Sequence, residues 1–351
     1  MKIVHIFWSF TTGGAETMLV DIVNEQIKQT DIFLIIVNRT YNLSLMSKID
    51  KRVKVYLVNR KPGSRNPFPL IKLNRYLLAI NPQVIHCHNH NMINCIFPVF
   101  RKKTVFTMHG VGHPIDTLKK YKKVFTISNS VKQDIEKRSE INSTVVYNGV
   151  NLNSIKNKSA FYVSGRFKVV QVSRLETETK GQHIVIEAIK ILRDNYSILN
   201  VQLDLIGEGK SEEKLKKLVE KYKLNDRIQF LGLKDREYIY KNLCNYDLLV
   251  QPSLYEGFGL TIVEAMAAKV PVLVSNIYGP IEIIENGKYG NFFESGNPTE
   301  LAEQIHYIYT NYDSEVRHKI ELAYDHVKCN FDIAMTARNY INNYYKILRI
   351  R

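Results

Sequence analysis

The chain has 351 residues, 45% of them hydrophobic and 24% charged, a composition that excludes a largely disordered or fibrous protein. No apolar run reaches the ~18 residues needed to span a bilayer. The formal net charge is +15, and residues 1–165 carry all of the excess, with 24 Lys and Arg against 9 Asp and Glu, whereas residues 166–351 hold 25 of each.

At this length one hydrophobic core is usually exceeded, so two domains are expected. The start, MKIVHIFWSF, has one lysine and no small-residue cleavage site, and reads as a buried first strand rather than a leader. Cys87, Cys95, Cys244 and Cys329 lack C-x-x-C spacing, which fits reduced thiols in a cytoplasmic protein.

Strand-like runs rich in β-branched residues follow one another through the first half: KIVHIFW, IFLIIVN, VKVYLV, QVIHCH, TVFTMH, KVFTIS and STVVYNG. Several are continuously apolar, as strands buried on both faces of a parallel sheet must be. Between the first two, Met18, Leu19, Ile22, Val23 and Ile27 fall on one helical face, giving a βαβ start. No acidic residue occurs between Asp50 and Asp116, while eleven Lys or Arg lie from Lys51 to Lys103. Such a surface suits an anionic partner: phospholipid head groups, a phosphorylated lipid carrier or nucleic acid.

The pattern restarts after the polar, aperiodic SIKNKSAFYVSGRF. FKVVQVSR, VQLDLIGEG, RIQFLG, DLLVQPS and VPVLVS alternate with helices such as GQHIVIEAIKILRDN, and the chain is helical from Glu300 onward. Two doubly wound α/β domains in tandem are therefore expected, covering residues 1–164 and 165–331, with a terminal helix at about 332–351 that packs back on the first. Open α/β sheets bind ligands outside the carboxyl ends of their strands, so the function is sought in loops at those ends.

The segment YEGFGLTIVEAMA follows a strand and precedes a helix. Gly257 and Gly259 let the backbone turn tightly, and a helix starting near Leu260 presents free amides to a phosphate. Glu256 and Glu264 would repel that phosphate, so they are expected to accept hydrogen bonds from hydroxyls on either side of it, a ribose and a sugar. Arg174 at a strand end and Lys180 six residues on supply the cations that neutralise a diphosphate without a metal, and no D-x-D pair is present to hold one. In the first half, Gly13 and Gly14 lie between the first strand and its helix, and His109 lies at a strand end before Gly110. His86, His88 and His90 would share a face of an extended strand, a pattern able to hold zinc. No carboxylate or cysteine at suitable spacing completes a ligand set, and the segment is expected to leave strand geometry at Asn89, so no metal site is expected.

Taken together, GGAE, FTMHG, TISNSV, YNGV, SRL followed by KG, LIGEG, FLG and EGFGLTIVEAMA resemble, in the same order and over nearly the whole chain, the retaining family-4 glycosyltransferases of GT-B fold. The resemblance implies a nucleotide-sugar donor, with Arg174 and Lys180 on the diphosphate and the amides of Gly257, Phe258, Gly259 and Leu260 on phosphate and sugar. Glu256 would bind donor-sugar hydroxyls, Glu264 the ribose, and His109 the sugar near the reacting carbon, while Gly13 and Gly14 border diphosphate and acceptor. No cofactor is implied beyond the donor. Ser173 and Ile262 depart from the family's usual glycine and proline.

The expectation is a hexosyltransferase moving a sugar from a nucleotide-sugar, a UDP-sugar, to a glycan or lipid-carrier-linked acceptor in surface-polysaccharide assembly. It would lie peripherally on an anionic membrane at the cytoplasmic face. The Lys-, Ile-, Asn- and Tyr-rich composition suits an AT-rich bacterial genome. A nucleotide-sugar epimerase would use a similar donor site. A nucleic-acid-binding role would use the basic half, but no RNA-binding motif or basic helix supports it.

Overall fold

A computed structural model of the chain describes residues 1–349 except 12, 164 and 197–199. It forms two compact units: Met1–Val150 with Asp332–Arg351, and Asn151–Phe331.

The first unit is built on seven parallel strands: β1 (Lys2–Phe7), β2 (Asp31–Asn38), β3 (Lys54–Arg60), β4 (Val84–Cys87), β5 (Thr104–Met108), β6 (Lys123–Thr126) and β7 (Ser143–Val145). Their order is β3-β2-β1-β4-β5-β6-β7, so the winding direction reverses between β1 and β4. The apolar run of β2 is buried at every position after Asp31, as a strand covered on both faces requires. Helix Gly14–Gln26 buries Met18, Leu19, Ile22 and Val23, the face expected from the spacing.

The terminal helix Ile333–Arg349 packs on helix Gly14–Gln26. Its Tyr340 and Tyr344 are fully buried, and Tyr340 meets the Phe125 ring edge-on at 5.4 Å. Ile333 N–H donates to the Val150 carbonyl at 3.0 Å, so the two stretches where the chain enters and leaves this unit lie side by side.

The second unit holds six parallel strands: β8 (Phe167–Val172), β9 (Val201–Ile206), β10 (Ile228–Gly232), β11 (Leu248–Gln251), β12 (Val272–Ser275) and β13 (Asn291–Phe293). The order is β10-β9-β8-β11-β12-β13. The reversal falls between β8 and β11, which places the loops after those two strands side by side at the carboxyl edge.

Where the sequence suggests a boundary near 165, the chain passes between units at Val150–Asn151. Its polar stretch is packed on the second unit. Lys156 N–H donates to Tyr240, Lys158 N–H to Ala268, and the Lys158 ammonium pairs with Asp247 at 2.7 Å. Low hydropathy there reflects hydrogen bonding to a partner surface, which composition does not reveal. Among the described residues no helix is long and apolar enough to cross a membrane.

Candidate active site

Backbone hydrogen bonds stitch the two loops at the β8/β11 reversal together: Leu254 N–H and Tyr255 N–H both donate to the Thr179 carbonyl, at 3.0 and 3.2 Å. Gly181, between them, has φ +64°, and a Cβ there would run into the carbonyl oxygen of Pro252. Polar side chains fix the first loop from below. Gln171 Nε2 donates to the Lys180 carbonyl at 2.8 Å, and Gln182 Nε2 donates to the Arg174 carbonyl at 2.8 Å and to Ser173 Oγ at 2.9 Å. Ser173, where the family resemblance has glycine, thus serves as an anchor for the loop.

Lys180 Nζ lies 2.6 Å from Glu256 Oε2, and Gln251 Nε2 donates to the same oxygen at 3.2 Å. Immediately after Glu256 the chain turns through Gly257 and the buried Phe258 to Gly259, whose φ of +111° favours glycine. Helix Leu260–Ala267 starts there with no side-chain cap, leaving its first amides to a ligand or water. Glu264, one turn on, is buried and lies 3.7 Å from Arg236 Nε, whose guanidinium stacks on Tyr240 at 4.8 Å. The second unit therefore brings Lys180, Glu256 and the start of helix Leu260–Ala267 to one edge, with Arg174 held at its own backbone by Gln182.

Arg236 is a residue that sequence reasoning misses. It opens helix Arg236–Asn242, capped by Asp235 accepting from Tyr238 N–H at 2.8 Å, and no motif marks it. Only its placement beside Glu264 gives it interest.

In the first unit, Gly13, Gly14 and His109 all lie at the carboxyl edge of the sheet, after β1 and β5. Glu16 folds its carboxylate against Gly13, and burial raises its pKa. The amides that open helix Gly14–Gln26 are thus shared with an acid in place of a side-chain cap.

The chain leaves strand geometry before His90, as expected from the sequence, but a histidine from another strand joins the cluster. His90 leaves the strand for the 3₁₀ turn His90–Cys95, and His5 takes its place, because β1 pairs with β4 and sets His5 opposite His86. The ring nitrogens of His5, His86 and His88 gather within 4.8 Å. They are engaged in hydrogen bonds: His86 Nε2 with Thr107 Oγ1 at 2.7 Å, His86 Nδ1 with the Tyr344 hydroxyl, and His5 Nδ1 with His88 Nε2 at 3.0 Å. The His86 bonds tie the terminal helix to the sheet.

Two family models match the chain: Glycosyltransferase Family 4 over residues 12–154 and Glycosyl transferases group 1 over residues 154–323. An uncharacterized glycosyltransferase of Methanocaldococcus jannaschii is 30% identical over 238 residues, 63% of this chain and 64% of that protein. The poly(ribitol-phosphate) alpha-N-acetylglucosaminyltransferase of Staphylococcus aureus is 27% identical over 247 residues, 70% of this chain and 46% of that one. These matches therefore span less than two thirds of either relative. Among solved structures, Anabaena HepE in complex with UDP and glucose superposes with TM-score 0.81 at 22% identity, covering 98% of this chain and 99% of that one. A glycosyltransferase of Rickettsia africae gives TM-score 0.81 at 22% identity, with 99% and 98% covered.

Proposed function

Because the chain belongs to the family-4 glycosyltransferases of GT-B fold, we propose that it is a retaining hexosyltransferase using a UDP-sugar and a glycan or lipid-linked acceptor in polysaccharide assembly. The observation that carries the donor site is the convergence of Lys180, Glu256 and the uncapped start of helix Leu260–Ala267 at one sheet edge. The UDP and UDP-glucose complexes of Anabaena HepE support the donor class. The poly(ribitol-phosphate) relative supports the acceptor class.

In this reading Arg174, Lys180 and the amides of Gly257, Phe258, Gly259 and Leu260 take the diphosphate, and Glu264 accepts from the ribose. Glu256 accepts from sugar hydroxyls. Its pairing with Lys180 sets the ammonium where phosphate charge grows. In the first unit His109 contacts the donor sugar, and Gly13 and Gly14 border the diphosphate and acceptor. The bond between the anomeric carbon and the diphosphate oxygen breaks as an acceptor oxygen joins the same face of that carbon, and the acceptor proton passes to the departing diphosphate. The fixed cations and helix amides stabilise the charge that develops on that oxygen. No metal is given a role.

The acceptor side is proposed to meet an anionic membrane at the cytoplasmic face. Helix Phe68–Ile80 exposes Phe68, Ile71 and Leu78 along one side, and Phe97 and Val99 are exposed on the neighbouring turn, whose Phe97 N–H donates to Asn74 of that helix. Arg65, Lys72, Arg75, Arg101 and Lys102 lie in the same segments, so apolar and cationic groups share the surface, as interfacial helices require.

Binding of a panel of nucleoside diphosphates and nucleotide sugars, without added metal, to wild type, Lys180→Ala and Glu264→Ala tests the donor site. Binding of UDP or a UDP-sugar that both variants lose is expected. Equal binding by all three proteins would remove these residues from the site.

A further inference from the structure

Three imidazoles are threaded through the first unit, from the buried end of helix Gly14–Gln26 to the carboxyl edge of the sheet. Gln26 Oε1 lies 2.8 Å from His5 Nε2, His5 Nδ1 lies 3.0 Å from His88 Nε2, and His88 Nδ1 lies 3.0 Å from His109 Nε2. Gln26, His5 and His88 are buried, and His109 is half-buried at the end of the series. The Phe7 ring stacks on His88 at 4.6 Å and the His86 ring stacks on it at 4.4 Å, which restricts the tilt of the central ring.

Every link in the series needs one proton, and each neutral ring carries one. With the Gln26 amide oxygen accepting from His5 Nε2–H, His5 Nδ1 must accept from His88 Nε2–H. His88 Nδ1 must then accept from His109 Nε2–H, which leaves His109 Nδ1 as a lone pair. Among the described residues that nitrogen has no hydrogen-bond partner. Turning the Gln26 amide over would reverse every bond at once and make His109 Nδ1 a donor. The orientation of one buried amide thus determines what the outermost ring offers.

We propose that Gln26, His5 and His88 are positioning residues that fix His109 as a neutral Nε2–H imidazole, so that its Nδ1 accepts a hydrogen bond from a ligand hydroxyl. The identity of the ligand, a sugar, rests on the proposed transferase reading; the relay itself does not. Burial supports the neutral state of all three rings, pushing His5 and His109 down to about 4 and His88 also well below the ordinary histidine value. No salt bridge reaches any of the three among the described residues. A hydroxyl donor meeting a lone pair differs from an imidazolium meeting a phosphate, and this geometry selects the former.

The test is a long-range proton–nitrogen correlation spectrum of the full chain with ring-labelled histidine, recorded between about pH 6 and pH 8 without any nucleotide sugar. His109 signals are assigned by their loss in His109→Gln. The expected result is an unprotonated Nδ1 and a protonated Nε2 on His109. Gln26→Met removes the acceptor and should shift His109 toward the Nδ1–H form, and Gln26→Glu, which restores an acceptor, should restore the wild-type tautomer. In turnover, Gln26→Met should lose roughly tenfold in kcat/KM, the worth of one hydrogen bond, and Gln26→Glu should regain it. A wild-type His109 protonated on Nδ1 or on both nitrogens overturns the relay, as does an unchanged tautomer in folded Gln26→Met. Should Gln26→Met fail to fold, the wild-type spectrum alone decides. A chain with the expected tautomer that transfers no sugar would sink the transferase reading and leave the relay standing.

Discussion

Lys180 Nζ and Glu256 Oε2 are 2.6 Å apart, and they come from loops that follow neighbouring strands of one sheet. The carboxylate oxygen also accepts from Gln251, so the lysine is held at a set point before any ligand arrives. A pre-placed cation needs no reorganisation as charge develops, which is where such contacts act most strongly. Lys180→Ala should lower turnover by ~100-fold or more, with diphosphate affinity falling alongside. Full turnover in that variant, measured on a donor the wild type uses, would refute the assignment.

The close approach of the two loops depends on Gly181. Alanine there would hold a left-handed φ of +64° and drive its methyl into the Pro252 carbonyl, so the Thr179–Leu254 hydrogen bond and the Lys180–Glu256 pair would both shift. Gly181→Ala should destabilise the second unit by about 3 kcal/mol. Donor binding should fall in the protein that remains folded. A thermal midpoint within a degree of wild type, with donor affinity retained, would show that the loops tolerate the methyl.

The residues at this candidate edge could be singled out in the sequence because they are local: Arg174 with Lys180, and Glu256 through Glu264, each fall within one strand-loop-helix segment. Parallel order and the helix packing back on the first unit also followed from pattern. The pairing of Lys180 with Glu256 spans 76 residues and comes from β8 lying beside β11, which no local signal specifies. Arg236 and His5 were missed for the same reason, since their partners are set by strand and helix placement. His90 leaves the strand face, as the break expected at Asn89 implies, because the turn His90–Cys95 ends the two-residue alternation.

Lys158 illustrates how a polar stretch can be structural. Its side chain is 8% exposed and its partner Asp247 11% exposed, and Asp247 also accepts from the Lys168 backbone at 2.9 Å. Lys158→Met would leave a carboxylate buried with half its partners, a loss of roughly 3 kcal/mol. Urea unfolding of wild type and variant measures it. A difference under about 0.5 kcal/mol would class the pair with ordinary surface pairs.

The proposed membrane surface joins exposed Phe68 on helix Phe68–Ile80 to exposed Val99 on the adjacent turn. Head-group attraction contributes about 1 kcal/mol per cation near an anionic surface and weakens with salt. The chain should cosediment with vesicles rich in anionic lipid at low ionic strength, and Phe68→Ser combined with Arg75→Glu should release most of it. Wild type that ignores such vesicles at low salt would end the membrane reading.

Acid should destabilise the first unit well before carboxylates titrate. His5 is fully buried and held at about 4, and His86 and His88 are also lowered, burial being the leading cause in each case. Well above pH 6.5 these rings are neutral in both folded and unfolded chains, so they contribute no pH dependence. As pH falls below that value the unfolded chain takes up protons that the folded one refuses, and stability declines until the folded rings themselves protonate, near pH 4 for His5. By pH 5 the His5 ring should cost about 2 kcal/mol, with His86 and His88 acting in the same direction, while ordinary Asp and Glu are still ionised. Urea midpoints at pH 7.5 and pH 5 read this directly, and His5→Asn should flatten part of the difference. Equal midpoints at the two pH values would mean that the rings protonate in place, and that the buried relay of neutral imidazoles does not persist in solution.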